Sequence, residues 1–512
     1  MDAIELSIFA SRLEAVCDEM GAVLQRAAFS PNIKDRLDFS CAVFDARGEL
    51  CAQAAHIPVH LGSMAYAMRD IVRRITWAPG DMIILNDPYL GGTHLPDVTL
   101  IVPLHVQGEV VGFVANRAHH ADIGAAAPGS MPISHRLDQE GMILPPSKLV
   151  RGGVLDAAML EAITAATANP QQARGDFTAQ MSANRTGLAR LAVLVEALGA
   201  VAYGAALDEL NDYAERLANS ALAAIPHGVY RFQDVLDDDG QGNQDLPLQA
   251  AITVNAQGIE VDFAGSGPQV AGNVNCPLSV AAAGVYYVFR CLMPAHTPAA
   301  SGSFRGIHIR APEGCLVNAR RPAAVAAGNV ETSTRVVDVV MGALAQAVPE
   351  RIPAASHGSM NNLAMGARGG ACSWDYYETM GGGMGGGPQA PGLSAVQTHM
   401  TNTLNTPIEV LESHYPLRVR RYAVRDGSGG AGRQRGGDGL VREFEFLAPT
   451  TVTLLTERRR HAPWGLQGGE AGSSGVNRRD GQVLPPKVSY EARAGERLTV
   501  ETPGGGGWGP AG

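Results

Sequence analysis

The stretch Asn86-Asp87-Pro88-Tyr89-Leu90-Gly91-Gly92-Thr93-His94-Leu95-Pro96-Asp97, carried on by residues 98–118 and then by His119-His120-Ala121-Asp122, decides how this chain is read. It holds imidazoles at His94, His119 and His120 and a carboxylate at Asp97, all of them possible metal ligands. A metal site needs neutral imidazole nitrogens and ionised carboxylates that converge on one point. Pro96 separates His94 from Asp97, and Gly91 and Gly92 precede them, so their spacing describes a shaped loop and not a helix face. Val98 to Val106 and Val110 to Asn116 are rich in β-branched residues, and Gln107-Gly108-Glu109 between them reads as a turn. A hairpin brings the residues after its second strand back beside those before its first. His119 and His120 are therefore expected next to His94 and Asp97. Tandem histidines also occur as surface or hydrogen-bonded pairs; the hairpin is the reason for preferring a bound metal. An all-N/O donor set suits zinc or manganese and, less readily, iron.

Upstream, Asp81 to Leu85 is a short apolar strand that delivers the chain into the Asn86 loop, and strand ends that open into Gly-rich loops often carry chemistry. Leu61 to Ile75 reads as a helix. In His56-Ile57-Pro58-Val59-His60 the proline interrupts any strand period, and the two histidines either line a cleft or are satisfied structural groups. Phe39 to Phe44 and Glu49 to Gln53 read as strands around an Asp45-Ala46-Arg47-Gly48 turn. Asp38, at the start of the first, is either a turn aspartate or a carboxylate aimed into a site. Ile4 to Ala28 is an amphipathic helix with Asp2 as its N-cap.

Downstream, Asp156 to Ala168 is helical, and residues 175–225 are too long for one ordinary helix and are expected to break near Gly199 or Gly204. From about residue 228 the pattern changes to short β runs at residues 229–236, 248–254 and 259–263, with helices at 278–292 and 332–347. A markedly Gly-rich tail follows, with strands near residues 417–424, 440–446 and 451–457. The expected class is α+β. Residues 1–227 form an α/β metal-binding region with a wall of long helices, and residues 228–512 a β-rich region that completes the pocket and a partner surface.

A chain of 512 residues can bury several cores. Its net charge of -10 offers no basic field to gather phosphates, which argues against nucleic-acid binding. Arg458-Arg459-Arg460 is too short to change that and reads as a solvated or interface patch. The seven cysteines, Cys17, Cys41, Cys51, Cys276, Cys291, Cys315 and Cys372, form no CxxC pair, which fits reduced and mostly buried thiols in a cytoplasmic protein. No signal peptide is evident at Met1-Asp2-Ala3-Ile4-Glu5, and Arg190 and Glu196 interrupt the most apolar stretch, Leu188 to Leu207, so no membrane span is expected.

Gly381 to Gly387 and Gly504 to Gly509 both satisfy GxGxxG. Neither follows an apolar strand and opens a helix, so they read as loops that permit close backbone approach and not as dinucleotide sites. There is no GxxxxGK[ST] loop for ATP and no GxSxG elbow.

Several of these stretches, taken in order, resemble the hydantoinase B/oxoprolinase family. They are Asn32-Ile33-Lys34 through Asp38-Phe39-Ser40, His56-Ile57-Pro58-Val59-His60-Leu61-Gly62-Ser63-Met64, Asn86-Asp87-Pro88-Tyr89, His94-Leu95-Pro96-Asp97 and Arg117-Ala118-His119-His120-Ala121-Asp122. Further on come Gly328-Asn329-Val330-Glu331-Thr332-Ser333, His399-Met400-Thr401-Asn402-Thr403, Gly436-Gly437-Asp438-Gly439 and Thr502-Pro503-Gly504-Gly505-Gly506-Gly507-Trp508-Gly509. The resemblance runs over nearly the whole chain.

It implies a division of labour in which a separate A-type subunit binds ATP and phosphorylates the substrate while the B-type subunit holds one divalent metal ion. It implies Asp38, His94, Asp97 and His119 as ligands, which moves Asp38 from turn to site. It makes His120, Asp122 and Asp87 candidate catalytic groups, and Asn86, Tyr89, His56 and His60 candidate substrate contacts. The partners implied are an A-type subunit, in an assembly such as a dimer of AB pairs, and a small cyclic amide. The expected reaction is ATP-dependent ring opening of a hydantoin or of 5-oxoproline. The family also includes alpha subunits of acetone-type carboxylases, so carboxylation of a phosphorylated enol is the alternative. A non-catalytic scaffold for the A-type subunit is a third reading.

Overall fold

The computed structural model describes residues 1–54, 56–368 and 373–512. The chain begins with α1 (Ala3–Ala27), capped by Asp2, whose side chain accepts from the Ile4 and Glu5 amides while the Glu5 side chain accepts from the Asp2 amide. A short α2 (Pro31–Lys34) leads into β1 (Phe39–Asp45) and β2 (Leu50–Gln53), and α3 spans Pro58–Arg74. Pro58 does not interrupt structure here. It occupies the first turn of α3, where a missing N–H costs nothing, so the helix starts three residues before the expected Leu61 and includes His60. Then come β3 (Met82–Leu85), β4 (Asp97–Val106), β5 (Glu109–His119), β6 (Ser147–Arg151) and β7 (Val154–Leu155).

These strands form one sheet in the order β2-β1-β5-β4-β3-β6-β7. β4 and β5 are the anticipated hairpin, with Asp97 opposite His119 in register. One sheet face packs on α3 through Ala42, Phe44, Ile101, Phe113 and Ala115. The opposite face, with Cys41, Val43, Leu100, Val102 and Val114, packs on α1 and on the helices after α4 (Ala157–Ala165), which are α5 (Pro170–Leu198) and α6 (Ala200–Leu222). The break falls at Gly199, whose φ of 82° favours glycine. Among the described residues no single helix is long and apolar enough to cross a membrane. α5 and α6 pass that test only together, bent by 105°.

Beyond α6, β8 (Gly228–Asp238), β9 (Gln244–Asn255), β10 (Gly258–Asp262) and, after α7 (Leu278–Cys291), β11 (Ile307–Arg310) form a four-stranded sheet. A π-helical turn, Gly328–Thr332, runs into α8 (Ser333–Leu344). Next are β12 (Asn362–Ala367), β13 (Trp374–Glu378), β14 (Leu417–Arg425), β15 (Gly439–Phe446), β16 (Thr450–Leu455), β17 (Val476–Arg479), β18 (Gln482–Val483), β19 (Lys487–Ala492) and β20 (Arg497–Glu501). They make two sheets, β13-β12-β16-β19 and β14-β15-β20-β17-β18. The largest core cluster joins Ile57, Val59 and Met131 to residues 218–455, so hydrophobic packing is continuous across residue 227.

The glycine runs interlock backbone on backbone. The Gly386 amide donates to Gly506 O at 2.8 Å and the Gly505 amide to Gly437 O at 2.9 Å. A Cβ at Gly383 would lie 2.0 Å from Gly437 O, which is why side chains are excluded there. Of the arginine run, expected as a solvated or interface patch, Arg460 is exposed but Arg458 is not. Arg458 is buried and paired with Asp234 at 2.6 Å and with Asp338, because a cation in this core requires anions around it. Arg459, held below the usual arginine range by burial, bonds Asn361 and Asn477. Of the described cysteines only Cys291 is exposed, and all are free thiols; Cys372 lies outside the described residues.

Candidate metal centre

Three neighbouring strands place the acidic and imidazole groups at one end of the first sheet. Asp38 immediately precedes β1, Asp97 begins β4 and His119 ends β5. The His119 amide donates to Asp38 O at 3.0 Å, which keeps those ends level. Alternation along β5 turns Phe113, Ala115, Arg117 and His119 toward α3 and Val114, Asn116, Ala118 and His120 toward α5. The loop before β4 adds His94.

His94, Asp97 and His119 offer ligand atoms that all lie within 4.8 Å of one another. Asp97 Oδ1 is 3.2 Å from His94 Nε2 and 3.2 Å from His119 Nδ1. Its Oδ2 accepts from Thr93 Oγ1 at 2.6 Å and Asn329 Nδ2 at 3.2 Å, with His60 Nε2 also 3.2 Å away. Ser40 Oγ lies 3.4 Å from the other nitrogen of His60. His94 Nδ1 faces Ala326 O at 3.3 Å, and Glu140 shapes that carbonyl's segment by accepting from the Val325 and Ala326 amides at 3.0 Å each. The His119 ring stacks on Tyr377, centroids 4.6 Å apart and planes 9° from parallel.

Burial alone would raise the Asp97 carboxyl, but His94, His60 and His119 outweigh it and hold the group well below the usual carboxylate range. Burial likewise disfavours an imidazolium at His94, yet the Asp97 charge raises it; at His119 burial dominates and lowers it. Among the described residues His119 Nε2 is buried with no hydrogen-bond partner, and His94 Nε2 meets only Asp97 Oδ1, at 3.2 Å and outside hydrogen-bond geometry. Imidazole nitrogens without hydrogen bonds around an ionised carboxylate are what a divalent cation would satisfy, so the donor set fits a metal.

The other sequence candidates separate. His60, expected against a substrate, projects from α3 onto Asp97. Asp38 stands beside the triad, its Oδ1 4.0 Å from His60 Nε2 and its Oδ2 3.7 Å from the buried Arg36 guanidinium. His120 is turned away. Its Nε2 bonds Gln180 Oε1 at 2.8 Å and its ring stacks on Phe177 at 4.1 Å, so it braces α5 and does not reach the triad. Asp122 is fully used in loop structure, accepting from Gly124 N, Ser130 Oγ and Ala168 N at 2.9, 2.6 and 2.7 Å. Asp87 accepts from the Tyr89 amide at 3.0 Å and pairs with Arg321. Asn86 pins Leu95 O, Met142 O and the Leu144 amide, and Tyr89 donates to Ala323 O at 2.8 Å. These carboxylate, amide and phenol groups bind backbone because the Gly-rich loop lacks regular hydrogen bonding of its own.

His56 lies on another surface. A cavity of about 1060 Å³ is lined by His56, Pro58, Leu61, Gly62 and Ala65, while His60 and Ser63 leave α3 on the side facing the sheet, so the helix separates this cavity from the triad. Burial first, then His60, lowers His56 to about 4.

Residues that the sequence reading did not assign to the site are Thr93, Glu140, Asn329 and Tyr377. Asn329 sits in the Gly328-Asn329-Val330-Glu331 motif, which was a signal without a role. Nothing local marks Tyr377.

Glu140 carries a pH expectation. Burial raises its carboxyl to about 7. The folded state then holds a proton that the unfolded state releases at ordinary carboxyl pKa, so stability falls as pH rises from about 4.5 to about 7. In metal-free protein, Glu140→Gln should gain on the parent by about 3 kcal/mol between pH 4 and pH 8 in urea unfolding. A pH-independent difference between the two would refute this.

A model of the hydantoinase B/oxoprolinase family matches residues 2–511. The chain is 38% identical to 5-oxoprolinase 1 of Arabidopsis thaliana, aligned over 99% of its own length and 42% of that protein's, so it spans about two fifths of that relative. It is 33% identical to a Pseudomonas sp. protein provisionally named as the B-type subunit of a D-/L-hydantoinase, over 99% and 90% of the two chains. Its structure is similar to that of an ATP-dependent caprolactamase from Pseudomonas jessenii, with a TM-score of 0.92, 27% identity and coverage of 100% and 91%. Nucleotide-free acetone carboxylase, at 18% identity, TM-score 0.88 and coverage of 99% and 76%, shares the fold.

Proposed function

This chain belongs to the hydantoinase B/oxoprolinase family, and on that premise we propose that it is the metal-holding component of an ATP-dependent hydrolase that opens a cyclic amide. The observation that carries the reading is the convergence of His94, Asp97 and His119, with two imidazole nitrogens that make no hydrogen bond among the described residues, at the end of a sheet. These N/O donors suit a catalytic zinc or manganese better than a structural ion, whose closed site commonly recruits thiolates.

A cyclic amide is a poor electrophile, and phosphorylating its oxygen makes the ring carbon attackable: water adds there, the C–N bond breaks with the nitrogen taking a proton, and the resulting acyl phosphate is hydrolysed by a second water to carboxylate and phosphate. A divalent ion held by the triad supplies Lewis acidity toward an oxygen of the substrate or of water. The chain's own residues set the geometry. His94 is oriented by Ala326 O, His119 by Asp97 and Tyr377, and Asp97 by Thr93 and Asn329. Water that attacks the carbon must lose a proton. Asp38 and His60, 4.0 Å apart beside the triad, are the groups placed to take it; were Asp38 a fourth ligand, that task would fall to His60. His120, Asp122 and Asp87 are engaged elsewhere and have no part in this step.

Phosphorylation is assigned to an A-type partner that pairs with this chain, as the name of the Pseudomonas relative suggests, in an assembly such as a dimer of AB pairs. Two fifths coverage of the Arabidopsis protein fits the same reading, because the remainder of that polypeptide has room for a second component. The test is reconstitution with the A-type partner, ATP and Zn²⁺ or Mn²⁺, assayed on hydantoin, 5-oxoproline and caprolactam. ADP release coupled to ring opening is expected. Bicarbonate-dependent consumption of a ketone, with no ring opening, would assign a carboxylase instead.

A further inference from the structure

The π-helical turn Gly328–Thr332 sends two side chains toward the triad by different routes. Asn329 reaches Asp97 directly. Glu331, two residues on, is fully buried, and its Oε1 accepts from Asn362 Nδ2 at 2.6 Å and from the Met360 amide at 3.0 Å. Asn362 Nδ2 also donates to Leu455 O at 2.9 Å, so its amide is oriented, and its Oδ1 accepts the Tyr377 hydroxyl at 2.7 Å. Tyr377 is the ring stacked on His119. The chain Glu331–Asn362–Tyr377–His119 is therefore continuous, and each link is buried. A buried hydrogen-bond series of this kind fixes ring orientation because each donor has one acceptor to satisfy it. π turns are concentrated at functional sites, and this one lets Asn329 and Glu331 serve both sides of the cluster.

We infer that Glu331 is a positioning residue of the triad, holding the His119 ring in its ligating orientation through Asn362 and Tyr377. The inference rests on the metal-binding reading above. It concerns a carboxyl far from the ligand loop in sequence and without contact to any ligand. Burial, followed by the neighbouring Glu457 carboxylate, pushes the Glu331 carboxyl up to about 8, so glutamine is a close substitute for its neutral form.

The experiment is Zn²⁺ titration of metal-free protein against a competing chelator, on the parent, Glu331→Ala, Glu331→Gln, Tyr377→Phe and the Glu331→Ala/Tyr377→Phe double variant, with His94→Ala as control. Partners of a ligand imidazole typically contribute about 10-fold to 100-fold in affinity. Glu331→Ala and Tyr377→Phe should each lose about 10-fold or more. The double variant should lose no more than Glu331→Ala, because both act through one chain, and Glu331→Gln should stay within about twofold of the parent. Unchanged affinity in Glu331→Ala or Tyr377→Phe overturns the inference, as do additive losses or a glutamine variant as weak as the alanine. If Glu331→Ala does not fold, Tyr377→Phe, which keeps the ring, decides by the same criterion. Equal, weak Zn²⁺ binding by the parent and His94→Ala would instead sink the metal reading itself, a result distinct from parent-like Glu331 variants.

Discussion

Asp97→Ala is expected to abolish metal binding and, with it, all turnover. Asp97 is the only carboxylate in the triad and is wholly buried. Three imidazoles lie 3.2 Å from its oxygens, and Thr93 and Asn329 donate to it as well. Its removal takes away a ligand and the charge that draws a cation into a low-dielectric site, and it frees the rings to rotate. Metal affinity should fall by more than about 100-fold, beyond the effect of losing a partner outside the ligand set. The buried donors left unpaired should also cost about 3 kcal/mol of folding stability. Metal content by mass spectrometry, the reconstituted ATP-dependent assay and urea unfolding measure the three effects. A variant that keeps one equivalent of metal would remove Asp97 from the centre.

Gly328→Ala is expected to be the most damaging single methyl added near the site. Its Cβ would lie 1.7 Å from Asn275 O, a backbone atom. Asn275 cannot retreat easily, since its side chain bonds the Val270 amide and the Val270, Gly272 and Ala324 carbonyls, and the Gly328 amide itself donates to Asn273 O. The π turn must move, carrying Asn329 off Asp97 and Glu331 off Asn362. A loss of about 3 kcal/mol or more in unfolding free energy is expected, together with weakened metal binding. Gly204→Ala on α6, where an added methyl meets nothing within 4 Å and the φ is ordinary, is the control for the methyl without a close approach. Equal effects of the two would show that the close approach at Gly328 is unimportant.

Local pattern carried much of the architecture. The β4/β5 hairpin follows from two branched runs around Gln107-Gly108-Glu109, and its closure accounts for why His119 sits opposite Asp97. The break between α5 and α6 follows from Gly199. The same alternation that forms the hairpin separates His119 from His120, because consecutive residues of a strand face opposite sides of the sheet. That consequence was legible in the tandem pair, and it turns His120 toward Gln180 and Phe177. Pro58 misled in the other direction, since a proline that ends one kind of structure can begin another. The roles of Asp87, Asn86, Tyr89 and Asp122 were not legible. A polar side chain in a Gly-rich loop looks the same in sequence whether it meets a substrate or an unsatisfied carbonyl.

What the sequence by itself determined is the hairpin that sets His119 opposite Asp97, the α+β order of elements and the family, because these depend on periodicity, turn chemistry and motif order over short distances. Only the tertiary structure decided which groups close the site. Ala326, Asn329 and Tyr377 arrive from a distant part of the chain, and His60 meets Asp97 from a helix laid across the sheet. Such meetings depend on how sheets and helices pack, and packing responds to shape and buried polar pairing across the whole chain, which no local window contains.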